Sequence, residues 1–262
     1  MDIYFLNLVF PLVAAVAALQ NPPNPTSPAP RPAAQELAEC LRLIRGKEFP
    51  AARVRLERLV VDHPTWARAE FMLGLTYHEE QRYGLAKRYF ARAVALDPRD
   101  LAFRPFYGWC LYYLGEAAAA REQFEAYLEA KPDYSDAHFA IGLIEYEADD
   151  LEAAAARFRR TIELAIATKD ARVEGKARAR MGDIHIRRNE LEKARDELLK
   201  AVKLRDDAYE AYFKLSRVFE RLGDKSKAKW AREMHKSIYE KMHPTPPPPM
   251  GGPASQPARV SP

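Results

Sequence analysis

The 262-residue chain predicts an all-α fold in which one helix pair is copied along the sequence and the copies stack in series as a solenoid. Three observations carry this reading. A single spacing of 34 residues separates Ala52, Ala86 and Ala120, then Leu56, Phe90 and Phe124, then Pro64, Pro98 and Pro132. Within each copy the small residue precedes the large apolar one by one helical turn, and the proline that follows stops the helix. Composition agrees: Ala, Leu, Glu, Arg and Lys dominate, glycine is scarce between residues 33 and 242, and no alternating strand pattern stands out. A bundle with chance regularity would not align several registers over three consecutive units.

The units follow in order. The first, 33–66, is degenerate: Cys40 stands where later copies carry glycine, while Phe49, Ala52, Leu56 and Pro64 keep the pattern. The second, 67–100, is the fullest, with Leu73, Gly74 and Tyr77 on its first helix, Tyr83 in the turn, and Ala86, Phe90, Ala93 and Pro98 on or after its second. Gly108 and Gly142 continue the glycine register into the third unit, 101–134, and the fourth, 135–174. A glycine there lets two antiparallel helices approach closely, and the alanine of the second helix receives the facing aromatic. The fourth unit has Ile166 in place of the closing proline, and its successor is displaced by six residues. The fifth, 175–208, restarts at Gly182 with Leu191, Ala194, Leu198 and Ala201, and the sixth, 209–242, carries Leu215, Gly223 and Ala228.

These residues and spacings resemble the tetratricopeptide repeat (TPR) family. The resemblance implies a right-handed helical solenoid of antiparallel helix pairs, with six repeats forming one continuous core over 33–242. The six extra residues are expected to lengthen the helices around Leu164–Arg180 and to give a place for flexing near Lys169 and Asp170.

The chain ends read differently. Residues 3–19 carry no charge and end in small residues, so 1–20 reads as a cleaved signal peptide or an N-terminal membrane anchor. Residues 21–32 are a proline-rich linker, and 243–262 a disordered proline-rich tail. The localisation expected is exported or periplasmic, or anchored to the membrane by the N-terminal segment. Cys40 and Cys110 lie on first helices two repeats apart, too far for a disulfide, and read as small buried hydrophobes.

No phosphate loop, dinucleotide fingerprint, nucleophile elbow or zinc-protease helix appears, and the six histidines are scattered. The expectation is a non-catalytic chain without cofactor or metal. Residues Lys169–Lys241 hold 21 basic and 14 acidic side chains against a whole-chain net charge of +4, read here as the solvated face of terminal repeats, with no nucleic-acid module.

In the family the first helix of each repeat lines the inner groove. Carried onto this sequence, the resemblance implies a groove from Leu41 in the first unit, Phe71, Leu75 and His78 in the second, Trp109, Tyr112 and Tyr113 in the third, and Phe139, Leu143 and Tyr146 in the fourth. The last two units contribute charge, Arg187 and Arg217 among it. Such a face suits a peptide or amphipathic segment of a protein partner with an acidic flank. Family members that clamp a chaperone's C-terminal carboxylate use an asparagine where this chain has Leu41 and Leu75, so that ligand is not expected. The alternative reading is a structural accessory subunit of a cell-envelope complex, or a self-associating adaptor.

Overall fold

The computed structural model describes residues 31–243. Residues 1–30 and 244–262 lie outside the described residues, and with them the apolar N-terminal run, most of the linker and nearly all of the tail. Arg31 and Pro32, at the end of the linker as read from sequence, open the first helix. Among the described residues are twelve helices and no strand: α1 (Arg31–Arg45), α2 (Phe49–Asp62), α3 (Ala67–Glu79), α4 (Tyr83–Leu96), α5 (Phe103–Tyr113), α6 (Ala117–Ala130), α7 (Ser135–Glu147), α8 (Leu151–Thr168), α9 (Ala171–Arg187), α10 (Leu191–Leu204), α11 (Tyr209–Arg221) and α12 (Lys225–Met242). None of these helices is long and apolar enough to cross a membrane.

One turn design joins the helices of every pair. The second residue after the first helix takes a left-handed conformation at Lys47, Gln81, Gly115, Asp149, Asn189 and Gly223, with φ between 59° and 81°. The next N–H then reaches back to a carbonyl five residues earlier, as from Glu48 to Leu43, Arg82 to Tyr77, Glu116 to Leu111 and Asp224 to Phe219, all at 2.9 Å. This satisfies carbonyls that the helix end would otherwise leave orphaned. The same residue starts the second helix: the Glu48 carbonyl accepts from Ala52 N–H and the Glu116 carbonyl from Ala120 N–H. Asp224 adds its carboxylate as a cap on Lys227 N–H at 3.0 Å, and Asp170 caps α9 through Val173 N–H at 3.0 Å. The second helices α2, α4 and α6 stop two residues before Pro64, Pro98 and Pro132.

The helices group into two compact units, one ending at Arg160 and the other beginning at Thr161, with the division inside α8. The six extra residues go into helix: α8 has 18 residues and α9 has 17. In the first unit the glycine register sets the closest approach. A Cβ on Gly74 would lie 2.7 Å from the Phe90 ring, on Gly108 2.8 Å from Phe124, and on Gly142 2.8 Å from Phe158. All three phenylalanines are fully buried, as are Ala86, Ala120 and Ala154 one turn earlier. Helix α3 is buried on nearly every side, because α2, α4 and α5 all pack against it.

The second unit builds its core from Leu198, Ala211, Leu215, Val218, Phe219 and Ala228, with a Cβ on Gly182 meeting Leu198 at 2.7 Å. Here α9 packs on α10, α10 on α11 and α11 on α12.

Candidate functional site

The residues assigned to a groove fall into three groups. Phe71, Leu75, His78, Trp109, Phe139 and Leu143 are buried, Leu41, Tyr112, Tyr113 and Tyr146 are half-buried, and Arg187 and Arg217 are exposed. The first group is therefore a correction to the sequence reading of an open aromatic stripe. The physical reason is packing against the second helix of the same pair, joined at Phe71 by lateral packing on the next first helix. Phe71 sits among Phe90, Phe103 and Phe106, with ring centroids 5.5, 4.8 and 5.3 Å away. Phe139 lies on Phe158 at 5.6 Å, and Trp109 meets Phe124 edge-on at 5.5 Å. Phe139 and Trp109 pack onto the second helix of their own pair, while Phe71 also turns sideways into the next repeat and bonds the two pairs to each other.

His78 is part of the same interior. Its ring meets Tyr83 edge-on at 5.3 Å and lies 6.1 Å from Tyr113, and its buried Nε2 has no hydrogen-bond partner among the described residues. Burial pushes its pKa down to about 4, so the imidazole is neutral at physiological pH.

What stays partly open on the inner helices of the first unit is a tyrosine cluster. Tyr113 stacks on Tyr83 at 4.7 Å and against Trp109 at 6.0 Å, and Tyr112 packs edge-on to Trp109. The Tyr112 hydroxyl donates to the Glu147 carboxylate at the end of α7, tying α5 to α7. Tyr146 is next to that glutamate in sequence. Burial raises the Tyr113 phenol above its ordinary pKa, with a small contribution from Tyr83, so it remains a donor throughout the physiological range.

Three features were missed from sequence. Phe103 and Phe106, which cover Phe71, sit outside the repeating registers. Two carboxylates, Glu70 and Glu145, are buried. Glu145 faces Arg121 at 3.0 Å and Arg157 at 3.7 Å, while Glu70 is held by Arg92 at 2.9 Å, with burial raising its pKa. Third, in unit two the position of Leu75, Trp109 and Leu143 carries Asp183, which pairs with Lys214 of α11 at 2.7 Å and Arg180 at 3.0 Å. An ion pair there replaces the apolar contact, so Arg187 and Arg217 stand on a polar face; Arg217 lies 5.9 Å over the exposed Phe213 ring. Repeat registers show the spacing of such a pair, but not which charges meet.

The two thiols are free and buried. Burial raises Cys40 to about 11 and Cys110 to about 12, and the Cys110 thiol donates to the Tyr83 carbonyl at 3.2 Å. Among the described residues no three His, Cys, Asp or Glu side chains cluster as metal ligands would.

Two family models described as tetratricopeptide repeat match the chain, one over residues 77–144 and the other over 37–100 and 179–236. Among curated proteins no sequence relative matches. Solved structures share the fold at low identity. A pilF structure from Pseudomonas aeruginosa is 18% identical, with a TM-score of 0.67 over 79% of this chain and 91% of that one. PilW, titled a widely conserved type IV pilus biogenesis factor, is 16% identical, with a TM-score of 0.68 over 80% and 95%. A MamA structure from Desulfovibrio magneticus RS-1 is 18% identical, with a TM-score of 0.60 over 67% and 96%. With the two family models together covering more than half its length, and helix pairs of the right length, turn and packing, the chain belongs to the tetratricopeptide repeat family and has its right-handed solenoid fold of antiparallel helix pairs.

Proposed function

We propose that this protein is a non-catalytic scaffold that holds a segment of a partner protein against the inner helices of its first unit. One observation carries the reading: Tyr112, Tyr113 and Tyr146 are half-buried rings on two consecutive first helices, anchored by Trp109 beneath and by Glu147 beside them. Rings held this way have little rotamer freedom left to lose and still present area to a partner. The pilus-biogenesis factors among the structural neighbours are compatible with a role in assembling other proteins, though they share only the fold. The uncharged run 3–19 supports placing the scaffold outside the cytoplasm, or tethered to a membrane.

Because Trp109 and Phe139 are core, alanine there would test folding and not capture. The direct test places a photo-crosslinking phenylalanine derivative at Tyr112 or Tyr146, with the exposed Arg88 on α4 as control. Crosslinks to one partner peptide from Tyr112 and Tyr146 but not Arg88 are the expected result. Crosslinking from Arg88 alone would defeat the assignment.

A further inference from the structure

The second unit carries a site on a different surface. A cleft of about 400 Å³ opens between α10, α11 and α12, lined by Arg195, Leu199, Phe219, Lys227 and Trp230. Its floor is apolar and its rim holds two cations. Trp230 rests edge-on upon Tyr212 at 5.6 Å and is 40% exposed.

The repeat pattern shows that the fold does not require this tryptophan. The equivalent positions in the other five repeats are Val54, Arg88, Glu122, Ala156 and Asp196, and every one is exposed. Arg195 departs from its register as well. Its counterparts Arg53, Lys87 and Arg121 each reach a glutamate on the following repeat, Glu80 at 2.8 Å, Glu116 at 2.6 Å and Glu145 at 3.0 Å. Arg195 pairs instead with its sequence neighbour Asp196 at 2.7 Å and stays on the cleft rim. Lys227 pairs with Asp224 at 2.9 Å, and its ammonium lies 5.7 Å from the Phe219 ring. Exposed local pairs of this kind contribute little, so an incoming carboxylate can replace the acid in either.

We propose that this cleft is a second docking site, for an acidic segment of a partner protein that inserts one aromatic side chain beside Trp230 and lays carboxylates on Arg195 and Lys227. Charge complementarity selects this occupant. The chain's own segments outside the described residues do not fit it: residues 1–30 contain one acid, Asp2, and residues 244–262 contain none. The excess of basic over acidic residues from Lys169 to Lys241 favours the same partner during diffusional encounter.

The experiment is fluorescence anisotropy of a labelled nonapeptide with a central phenylalanine flanked on each side by four acidic residues, titrated with the full chain. Binding that weakens with salt is expected, and a central serine should weaken it roughly ten-fold. Trp230→Arg carries the decisive sign. Arg88 occupies that position in the second repeat, so the variant should keep its helical signal and unfolding midpoint. It adds a cation, yet should weaken the phenylalanine peptide about ten-fold by removing the aromatic wall. Arg195→Glu should weaken binding also, and Tyr112→Ala should leave it unchanged. Equal or tighter binding by Trp230→Arg, or equal binding of the serine peptide, would overturn the proposal, since either means a diffuse electrostatic attraction. A peptide-free dimer in sedimentation that Trp230→Arg dissolves would overturn it too, by giving the face to a second copy. Should Trp230→Arg fail to fold, Arg195→Glu and the serine peptide decide the matter.

Discussion

Gly74→Ala is the substitution in which the repeat architecture and intrinsic helix propensity pull in opposite directions. Replacing a glycine inside a helix by alanine normally stabilises by about 1 kcal/mol, because the unfolded backbone has less freedom to lose. At Gly74 the new Cβ would lie 2.7 and 2.8 Å from two carbons of the fully buried Phe90 ring. That ring is hemmed by Phe71 at 5.5 Å and by His78 at 6.0 Å, so it has no open side to retreat to. Overpacking a core commonly costs about 1–3 kcal/mol, which outweighs the propensity gain and leaves a net loss of about 1 kcal/mol. Gly84 supplies the control: it is also helical, on α4, and a Cβ there meets nothing within 4 Å. Urea unfolding followed by far-UV circular dichroism should therefore give opposite signs, Gly74→Ala lowering the midpoint and Gly84→Ala raising it. Phe90→Leu supplies the mechanism. The first repeat pairs Cys40 with Leu56 at the equivalent positions, showing that a smaller partner admits a side chain on the first helix. The double variant Gly74→Ala, Phe90→Leu should be more stable than the sum of the single losses by at least about 0.5 kcal/mol. If Gly74→Ala stabilises as Gly84→Ala does, or if the two sites combine additively, close helix approach is not what this glycine provides.

Three further outcomes follow from individual side chains. Burial holds the His78 imidazole at a pKa of about 4, below its value near 6.5 in an unfolded chain; above pH 6.5 neither state is protonated and nothing is lost, whereas between pH 6.5 and 4 the unfolded state takes up the proton first. Stability should thus fall by about 3 kcal/mol across that window, and a wild type whose pH slope there matches that of His78→Phe would contradict this. Gln81 occupies the left-handed turn position at φ 60°, where Gly115 and Gly223 serve other repeats, so Gln81→Gly should stabilise the fold by up to about 1 kcal/mol, read as a higher urea midpoint. The buried thiols, with Cys110 raised to about 12, should react with a disulfide reagent at pH 8 only as fast as the first unit opens; reaction at the rate of a free thiol in the native protein would refute their placement.

How far the sequence could be read depends on the kind of contact concerned. Contacts between the two helices of one pair recur at fixed separation, so Gly74 with Phe90 and Gly108 with Phe124 are visible as a period before any coordinates. The turn is equally periodic, yet it hides, because its left-handed residue is a lysine, glutamine, glycine, aspartate or asparagine in different repeats and composition does not mark it. Lateral contacts between first helices are harder. Phe71 meets Phe90 within its own pair, and Phe103 and Phe106 of the next repeat add to its burial. A groove position copied from a family pattern therefore predicts direction from the helix axis but not exposure, which the neighbouring repeat decides. The mid-chain insertion was legible as six extra residues, whereas the division into two compact units inside α8 was not, because a period reports only the identity of successive copies.

The same distinction bears on where this scaffold can bind. A repeat fold reserves certain positions for its own cohesion, and in this chain those positions took most of the aromatic residues of the inner helices. Function is then best sought where a residue departs from what its register requires. Tyr112 bonds to Glu147 on the next repeat and remains half-exposed, while Trp230 occupies a place that five sister repeats fill with exposed, non-aromatic side chains. Trp230 packs on Tyr212 across its helix pair and Tyr112 on Trp109 of its own helix, yet both rings keep area open to solvent. A large aromatic that keeps 40% of its surface exposed, as Trp230 does, carries a solubility cost that a covering partner would remove. On this reasoning the tyrosine cluster and the Trp230 cleft are separable: loss of one should leave the other, and the helices beneath each, intact.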